Sequence, residues 1–325
     1  MIVPKQVIIE VTSACNLSCK YCPHLTDDNP HAHMPFEDFL SIVHRAPQQS
    51  VIIPWMNGEP LLHPEYHIMI KHLSARNRKN YITTNGMIWD EKVFQKITDK
   101  DSSTYQIIFS LDGLPHKLSK SIEIARPGSD RQTILENIDR FLQLKLDKQS
   151  NIDVGIKICR RGQDYQETEA YIQYWLIREG VDYVCVGDAL IEHNEQSMRI
   201  YPCQYFDNNF MVIRQNGDLV ICAYNHEAAN LKKLSPGNVF DDRELSLVEY
   251  YNNEKYTQLR EDQSHGIFHS PCDTCGFAYT GFGFSGEIFF RHGIVKDKIY
   301  YHRDYYNQFF SLKKKWKDNS YYTNG

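Results

Sequence analysis

Between about residues 5 and 195, short runs of β-branched and apolar residues alternate with longer stretches whose apolar positions recur every three or four residues. The short runs, 6–11, 50–54, 80–83, 105–110, 153–159 and 183–186, read as buried strands. The stretches between them, among them 36–44, 65–75, 90–97, 133–146 and 167–179, read as amphipathic helices. Strand-helix repetition with such crossovers predicts a parallel sheet. Six units make a partial barrel, open on one side, with its functional loops at the carboxyl ends of the strands. The periodicity alone fits a doubly wound open sheet equally well.

After about Gln196 the alternation stops, and tyrosines and turn residues become frequent. Asn216-Gly217 favours a tight primed turn, so residues 212–222 read as a β-hairpin with Cys222 on its second strand. A short helix is expected near 246–251. The last stretch, from Phe289 to Gly325, is rich in Tyr, Phe and Lys and is expected to be a helix packed on the barrel or a cover for its open side. The expected domains are 1–195, 196–285 and a tail, 286–325.

A chain of 325 residues is long enough to bury a large core, and a net charge of −5 gives no global electrostatic reason to expect nucleic acid or an anionic membrane as partner. Basic and aromatic residues interleave in the tail, but that segment is short. No apolar run approaches the roughly 18 residues of a spanning helix, and Met-Ile-Val-Pro-Lys-Gln lacks the build of a signal peptide, so a cytoplasmic protein is expected. Nine cysteines, an odd count, argue against a disulfide framework there and point to metal clusters.

Three of these cysteines, Cys15, Cys19 and Cys22, fall in one short loop directly after the first strand. Three thiolates aimed at one point suit a 4Fe-4S cube with one iron left open. A zinc site closed by His24 is the competing reading, although structural zinc knuckles favour two-residue gaps. Cys203, Cys222, Cys272 and Cys275 form a second set, ending in a Cys-x2-Cys pair, and could close either a cluster or a zinc tetrahedron.

Cys15-x3-Cys19-x-Tyr21-Cys22, with an aromatic residue before the third cysteine, resembles the signature of the radical S-adenosylmethionine (SAM) superfamily. The resemblance implies a (β/α)6 partial TIM barrel, SAM chelated to the open iron, and a 5'-deoxyadenosyl radical that takes hydrogen from substrate. Asn57-Gly58-Glu59-Pro60 is similar to the family's Gly-Gly-Glu-Pro turn, which holds the SAM amino group, with Met56-Asn57 in place of the first glycine positions. Thr83-Thr84-Asn85-Gly86 ends the third strand as in many members. The resemblance also carries Ser110 and Arg126 to the SAM carboxylate and Asp112 to the ribose; a guanidinium suits a carboxylate because it bonds it bidentately. As plain structure, Gly-Glu-Pro is a turn and Arg126 a surface arginine ahead of Pro-Gly.

The later cysteines, with Gly217-Asp218, Gly237-Asn238-Val239 and Pro271, resemble the C-terminal SPASM or shorter twitch extension. Four cysteines in that arrangement imply one fully ligated auxiliary 4Fe-4S cluster, suited to moving single electrons. The spacing is similar to that of 2-deoxy-scyllo-inosamine dehydrogenase-like members. The first expectation is therefore oxidation of a hydroxylated small molecule, a sugar or aminocyclitol, with the auxiliary cluster as electron acceptor and a flavodoxin- or ferredoxin-type donor. A base is then needed, and Arg160, Arg161, Asp188 and Glu192 stand near strand ends. The second is an epimerase in which Cys159 or Cys185 returns hydrogen, although buried cysteine is more often inert packing. Modification of a ribosomal peptide is a third; such enzymes usually carry an N-terminal recognition domain, for which this chain has no room. A non-catalytic metal-binding module is the remaining alternative, and His31 and His33 read as polar loop.

Overall fold

The computed structural model describes residues 1–19, 22, 31–111, 126–160, 165–188, 203, 206, 209–222, 234–270, 272–273, 286–295 and 298–305; at 159, 160, 165, 166, 188 and 286–305 it describes the backbone alone. The strand-helix alternation is realised as β1 (Gln6–Ile9), α1 (Phe36–Arg45), β2 (Val51–Ile53), α2 (Tyr66–Ala75), β3 (Asn80–Thr84), α3 (Glu91–Ile97), β4 (Thr104–Ser110), α4 (Arg131–Asp147), β5 (Asp153–Arg160), α5 (Tyr165–Leu176) and β6 (Tyr183–Asp188). Caps fix several helix starts. The Asp90 carboxylate accepts from Val93 N, and that of Asp130 from Gln132 N and Thr133 N.

These six strands are hydrogen-bonded in sequence order, each parallel to the next. No reversal of order occurs, so the doubly wound alternative falls away. The two faces of the sheet are also unlike. Val7, Ile9, Ile52, Ile82, Ile107, Phe109, Val154, Ile156 and Val184 join one large core with helix residues such as Phe39, Leu73, Phe94, Phe141 and Trp175. Ile53, Tyr81, Ile108, Tyr183 and Cys185 form a separate, smaller cluster on the other face. Helices on one face only, with side chains turned in on the other, are what a partial barrel requires.

Both edges of the barrel sheet are extended by later strands, two beside β1 and two beside β6. Strand β7 (Phe210–Ile213) lies parallel to β1, with Gln6 opposite Phe210 and Ile9 opposite Ile213, and β8 (Leu219–Val220) folds back on it. The expected hairpin exists, yet it grows from the barrel sheet across the expected boundary at 195. At the other edge β9 (Gly286–Val295) lies antiparallel to β6 and carries β10 (Lys298–Tyr305). Over the described residues this corrects the helix offered for the tail: Gly286–Val295 and Lys298–Tyr305 pair as strands and cover a strand edge that would otherwise be open to pairing, while 306–325 lie outside the described residues.

Two further helices follow the first hairpin. In α6 (Leu247–Tyr251), Ser246 and Glu249 form a reciprocal capping box. In α7 (Glu254–Ser264), which the sequence pattern does not announce, the Asn253 side chain accepts from Tyr256 N. Among the described residues no helix is long and apolar enough to cross a membrane.

Candidate active site and cluster sites

The loop bearing Cys15, Cys19 and Cys22 leaves the carboxyl end of β1 and is pinned where it starts and where it returns. Met34 N donates to Val11 O at 2.8 Å, Ser13 N to Ala32 O at 3.0 Å, and Ala32 N to Ser13 Oγ at 2.9 Å. The three thiols are half-buried and outside any disulfide. Burial pushes the Cys15 thiol up to about 11, opposed by the Leu17 backbone N–H and reinforced by the Glu59 charge. A thiolate there therefore calls for a compensating cation, and three soft sulfurs fit an iron-sulfur cluster. Tyr21, and His24 as a fourth zinc ligand, lie outside the described residues. Among the described residues, no three His, Cys, Asp or Glu side chains are set to hold a single metal ion.

Three neighbours hold this loop from below. The first is the turn after β2. Glu59 N donates to Ala14 O at 2.8 Å, and a Cβ on Gly58 would stand 2.2 Å from Thr12 O and 2.8 Å from Ala14 O. Only glycine lets the two backbones come so close. Pro60 opens a single 3-10 turn, Pro60–Leu62. The Glu59 carboxylate is buried, and both its oxygens are engaged: Oε1 accepts from Thr84 Oγ1 at 2.8 Å and Leu61 N at 3.3 Å, Oε2 from Asn85 N at 2.8 Å. Burial nevertheless raises its pKa to about 7. The residue expected to meet the SAM amino group thus also ties the turn after β2 to the end of β3.

The second neighbour is Asn85, whose Nδ2 donates to Asn16 Oδ1 at 2.7 Å. The third is the turn after Arg126, where Ser18 N donates to Pro127 O at 3.1 Å. Arg126 is buried, so the surface reading fails; its guanidinium donates to Ser110 O and, at 2.9 Å, to Ser110 Oγ. Its charge also reaches Cys15 and Glu59. Glu59, Asn85, Ser110 and Arg126 therefore gather beside the cysteine loop; Asp112 lies outside the described residues. His63, not singled out from the sequence, braces the same region. Its Nδ1 accepts from Glu65 N at 3.0 Å, so Nε2 carries the proton and donates to Met34 O at 2.8 Å.

On the inner face of the barrel, the space that a Cβ on Gly155 would need is filled by the Tyr183 ring. Two residues on, by strand alternation, Lys157 faces the same way. It pairs with Ser110 on one side and Cys185 on the other. Cys185 is 3% exposed and packs in the inner cluster. Period-two alternation over 153–159 contains the signal for Lys157. Also on this face, buried Thr83 Oγ1 and Trp55 Nε1 find no hydrogen-bond partner among the described residues. Glu10, fully buried, meets Arg214 Nε at 3.6 Å and accepts from Gln215 N at 3.3 Å, which joins β1 to β7. The side chains of Cys159, Arg160 and Asp188, and all of Arg161 and Glu192, lie outside the described residues.

Cys203 and Cys222 pack against one small apolar cluster, Met56, Val212 and Val220, which Ile8 of β1 also joins. Met56 is the residue just before Asn57-Gly58-Glu59. Cys272 packs, with these two, against the main core. Three half-buried thiols packed against one core fit a second cluster as well; Cys275 lies outside the described residues.

Residues 9–169 match the radical SAM superfamily, and residues 201–276 match SPASM, an iron-sulfur cluster-binding domain. The chain is 22% identical, over 85% of its length and 90% of the relative's, to the tungsten-containing aldehyde ferredoxin oxidoreductase cofactor-modifying protein of Pyrococcus furiosus. Among solved structures it resembles Streptococcus suis SuiB bound to S-adenosylmethionine, with a TM-score of 0.60 at 16% identity, over 85% of this chain and 71% of SuiB. SuiB bound to its precursor peptide SuiA superposes similarly, with a TM-score of 0.59. BtrN in complex with AdoMet and 2-DOIA gives 0.54 at 15% identity, over 85% of this chain and 94% of BtrN. At these identities the likeness to solved structures is one of fold.

Proposed function

From a chain that carries a radical SAM domain followed by a SPASM iron-sulfur domain, we propose an oxidoreductase that removes hydrogen from a hydroxylated small molecule of sugar or aminocyclitol type. Such a chain is a radical SAM enzyme working with SAM, a 4Fe-4S cluster and auxiliary iron-sulfur. When bound, these groups supply a 5'-deoxyadenosyl radical that takes a hydrogen atom from carbon, and an acceptor for one electron. In this reading Cys15, Cys19 and Cys22 hold the first cluster, and Cys203, Cys222, Cys272 and Cys275 the auxiliary one. Tyr21, Asn57, Gly58, Glu59, Pro60, Asn85, Ser110, Asp112 and Arg126 surround SAM. Lys157 and the buried donors Trp55 Nε1 and Thr83 Oγ1 orient polar substrate groups. The hydroxyl proton leaves to a carboxylate at or after the end of β6, Asp188 or Glu192, while Arg160 and Arg161 at the end of β5, donors only, steady the oxygen left behind. A flavodoxin- or ferredoxin-type protein in the cytoplasm delivers the first electron.

One observation carries the oxidation reading: Cys203 and Cys222 share an apolar cluster with Ile8 of β1 and with Met56 beside the SAM turn. An acceptor held by these cysteines would be carried on the same sheet as the turn at Glu59 rather than on a linker, which supports this reading. The test is anaerobic reconstitution followed by turnover with deuterated sugars and aminocyclitols. The expected result is about eight irons per chain, SAM cleavage with dithionite, and deuterium in 5'-deoxyadenosine. A colourless protein holding two zincs would end this reading. Cys159→Ala and Cys185→Ala, made singly and together, separate the epimerase alternative, because only hydrogen return from a thiol would be abolished.

A peptide substrate is the second reading, favoured by the fold shared with SuiB in its complex with the precursor peptide SuiA. Mass spectrometry of candidate precursor peptides after turnover, showing a loss of two mass units, would select it.

A further inference from the structure

Helix α7 carries no cysteine, yet its last turn reaches two segments of the auxiliary site. Gln263 is 4% exposed, and its Oε1 accepts the backbone N–H of Cys203 at 2.8 Å. Its neighbour Asp262 accepts from His269 Nε2 at 2.6 Å, with its other oxygen held by Gln258 Nε2 at 2.7 Å. His269 in turn presents its carbonyl to Cys272 N at 2.7 Å. Two cysteines distant in sequence are thereby referred to consecutive residues at one helix end.

Peptide N–H groups beside a ligating cysteine are the usual donors to cluster sulfur, and such bonds set the reduction potential. At Cys203 that N–H is directed to a side-chain oxygen instead. Partners of this kind outside the ligand set fix ligand orientation, and their loss typically costs about 10- to 100-fold in metal affinity.

We propose that Gln263 and Asp262 are positioning residues of the auxiliary cluster: through Cys203 N and the His269–Cys272 turn they set where two of its ligands stand, and with that its potential. The proposal rests on the reading that Cys203, Cys222, Cys272 and Cys275 hold a cluster. Gln263→Leu removes the acceptor at similar volume, leaves the Cys203 N–H able to turn toward sulfur and should raise the potential. Gln263→Glu keeps an acceptor in the same place.

The test compares wild type, Gln263→Leu, Gln263→Glu and Asp262→Ala after anaerobic reconstitution. Iron per chain, the paramagnetic resonance of each reduced cluster, the auxiliary midpoint potential and the rate of iron loss to a chelator are measured. Gln263→Leu and Asp262→Ala should lose auxiliary iron about 10- to 100-fold faster. Gln263→Leu should also shift the auxiliary resonance and raise its potential, Gln263→Glu should stay near wild type in iron loss, and the SAM-cluster resonance should not move. An unchanged auxiliary resonance and chelator rate in Gln263→Leu overturns the proposal. So does loss of both clusters together, or failure of Gln263→Glu to restore retention. If wild type holds only about four irons, the cluster reading fails first and the proposal goes with it.

Discussion

Gly58→Ala tests how the turn after β2 and the cysteine loop share their space. The added methyl would sit 2.2 Å from Thr12 O and 2.8 Å from Ala14 O, where ordinary contact begins near 3.4 Å. Both obstacles are backbone carbonyls, and neither can swing aside. The Thr12–Ala14 segment is itself held by Ala14 N to Thr12 Oγ1 at 3.0 Å and by its bonds to Ala32. Separation by roughly 1 Å would break the Glu59 N to Ala14 O bond. Overpacking of this kind costs about 1–3 kcal/mol and the lost hydrogen bond about 0.5–1.5, so a loss of roughly 2–4 kcal/mol is expected. The displacement falls one residue before Cys15, and a shift of about 1 Å in a reacting arrangement can cost on the order of 100-fold in rate. Urea denaturation of the metal-free protein, iron content after reconstitution and SAM cleavage should all fall together. A Gly58→Ala protein with wild-type denaturation midpoint and full iron would refute the close-approach argument.

Other perturbations probe the same framework. Glu59 has its folded pKa raised by burial from 4.5 to about 7, so the native state holds the proton more tightly than the unfolded chain. Its contribution is fully present below pH 4.5 and declines by about 3 kcal/mol as pH rises to 7; Glu59→Gln should flatten that part of the metal-free stability curve, and identical curves would show the carboxyl does not titrate there. Glu10→Ala leaves Arg214 buried without its carboxylate and should cost about 3–5 kcal/mol by denaturant titration, with Glu10→Met plus Arg214→Met recovering most of it. Gly155→Ala drives a methyl into the Tyr183 ring and should destabilise by about 1–3 kcal/mol; Tyr183→Leu in the same chain should relieve it, and simple additivity of the two would contradict their contact.

The barrel was legible because its strands are buried on both faces and its helices are not. Val7, Ile9, Ile107 and Ile156 face helices while Ile53, Tyr81 and Ile108 face the lumen, so each strand is a solid apolar run. The cysteine loop was legible because spacing itself is the signal. The periodicity of α7 is nearly silent: only Tyr256, Leu259 and Gln263 are buried, and one of those is an amide. The second hairpin carried aromatic and β-branched residues suited to a strand, but the doublets Phe289-Phe290 and Tyr300-Tyr301 break strict alternation. Lys157 is hard to see for a different reason. The arginines at 160 and 161 mark the strand's end, whereas Lys157 is a charge inside the strand, where period two already places it beside Ser110 and Cys185.

Joining the SPASM hairpin to the barrel sheet has a physical consequence for the chemistry proposed. One-electron oxidation of a substrate radical competes with its other fates, so the acceptor must hold a fixed distance from the reacting carbon. A flexible linker lets that distance wander, whereas a strand ladder does not. Here β1 is the shared element. Its end launches the loop of Cys15, Cys19 and Cys22, one flank pairs with β2, which leads to Gly58 and Glu59, and the other pairs with β7, which leads through β8 to Cys222. The buried contact between Glu10 and Arg214 closes the β1–β7 seam at the carboxyl end, the end where SAM chemistry takes place in this fold. Loosening that seam should therefore slow electron removal more than SAM binding, since the turn at Glu59, the side chain of Asn85 and the arginine at 126 are anchored on the opposite flank of β1.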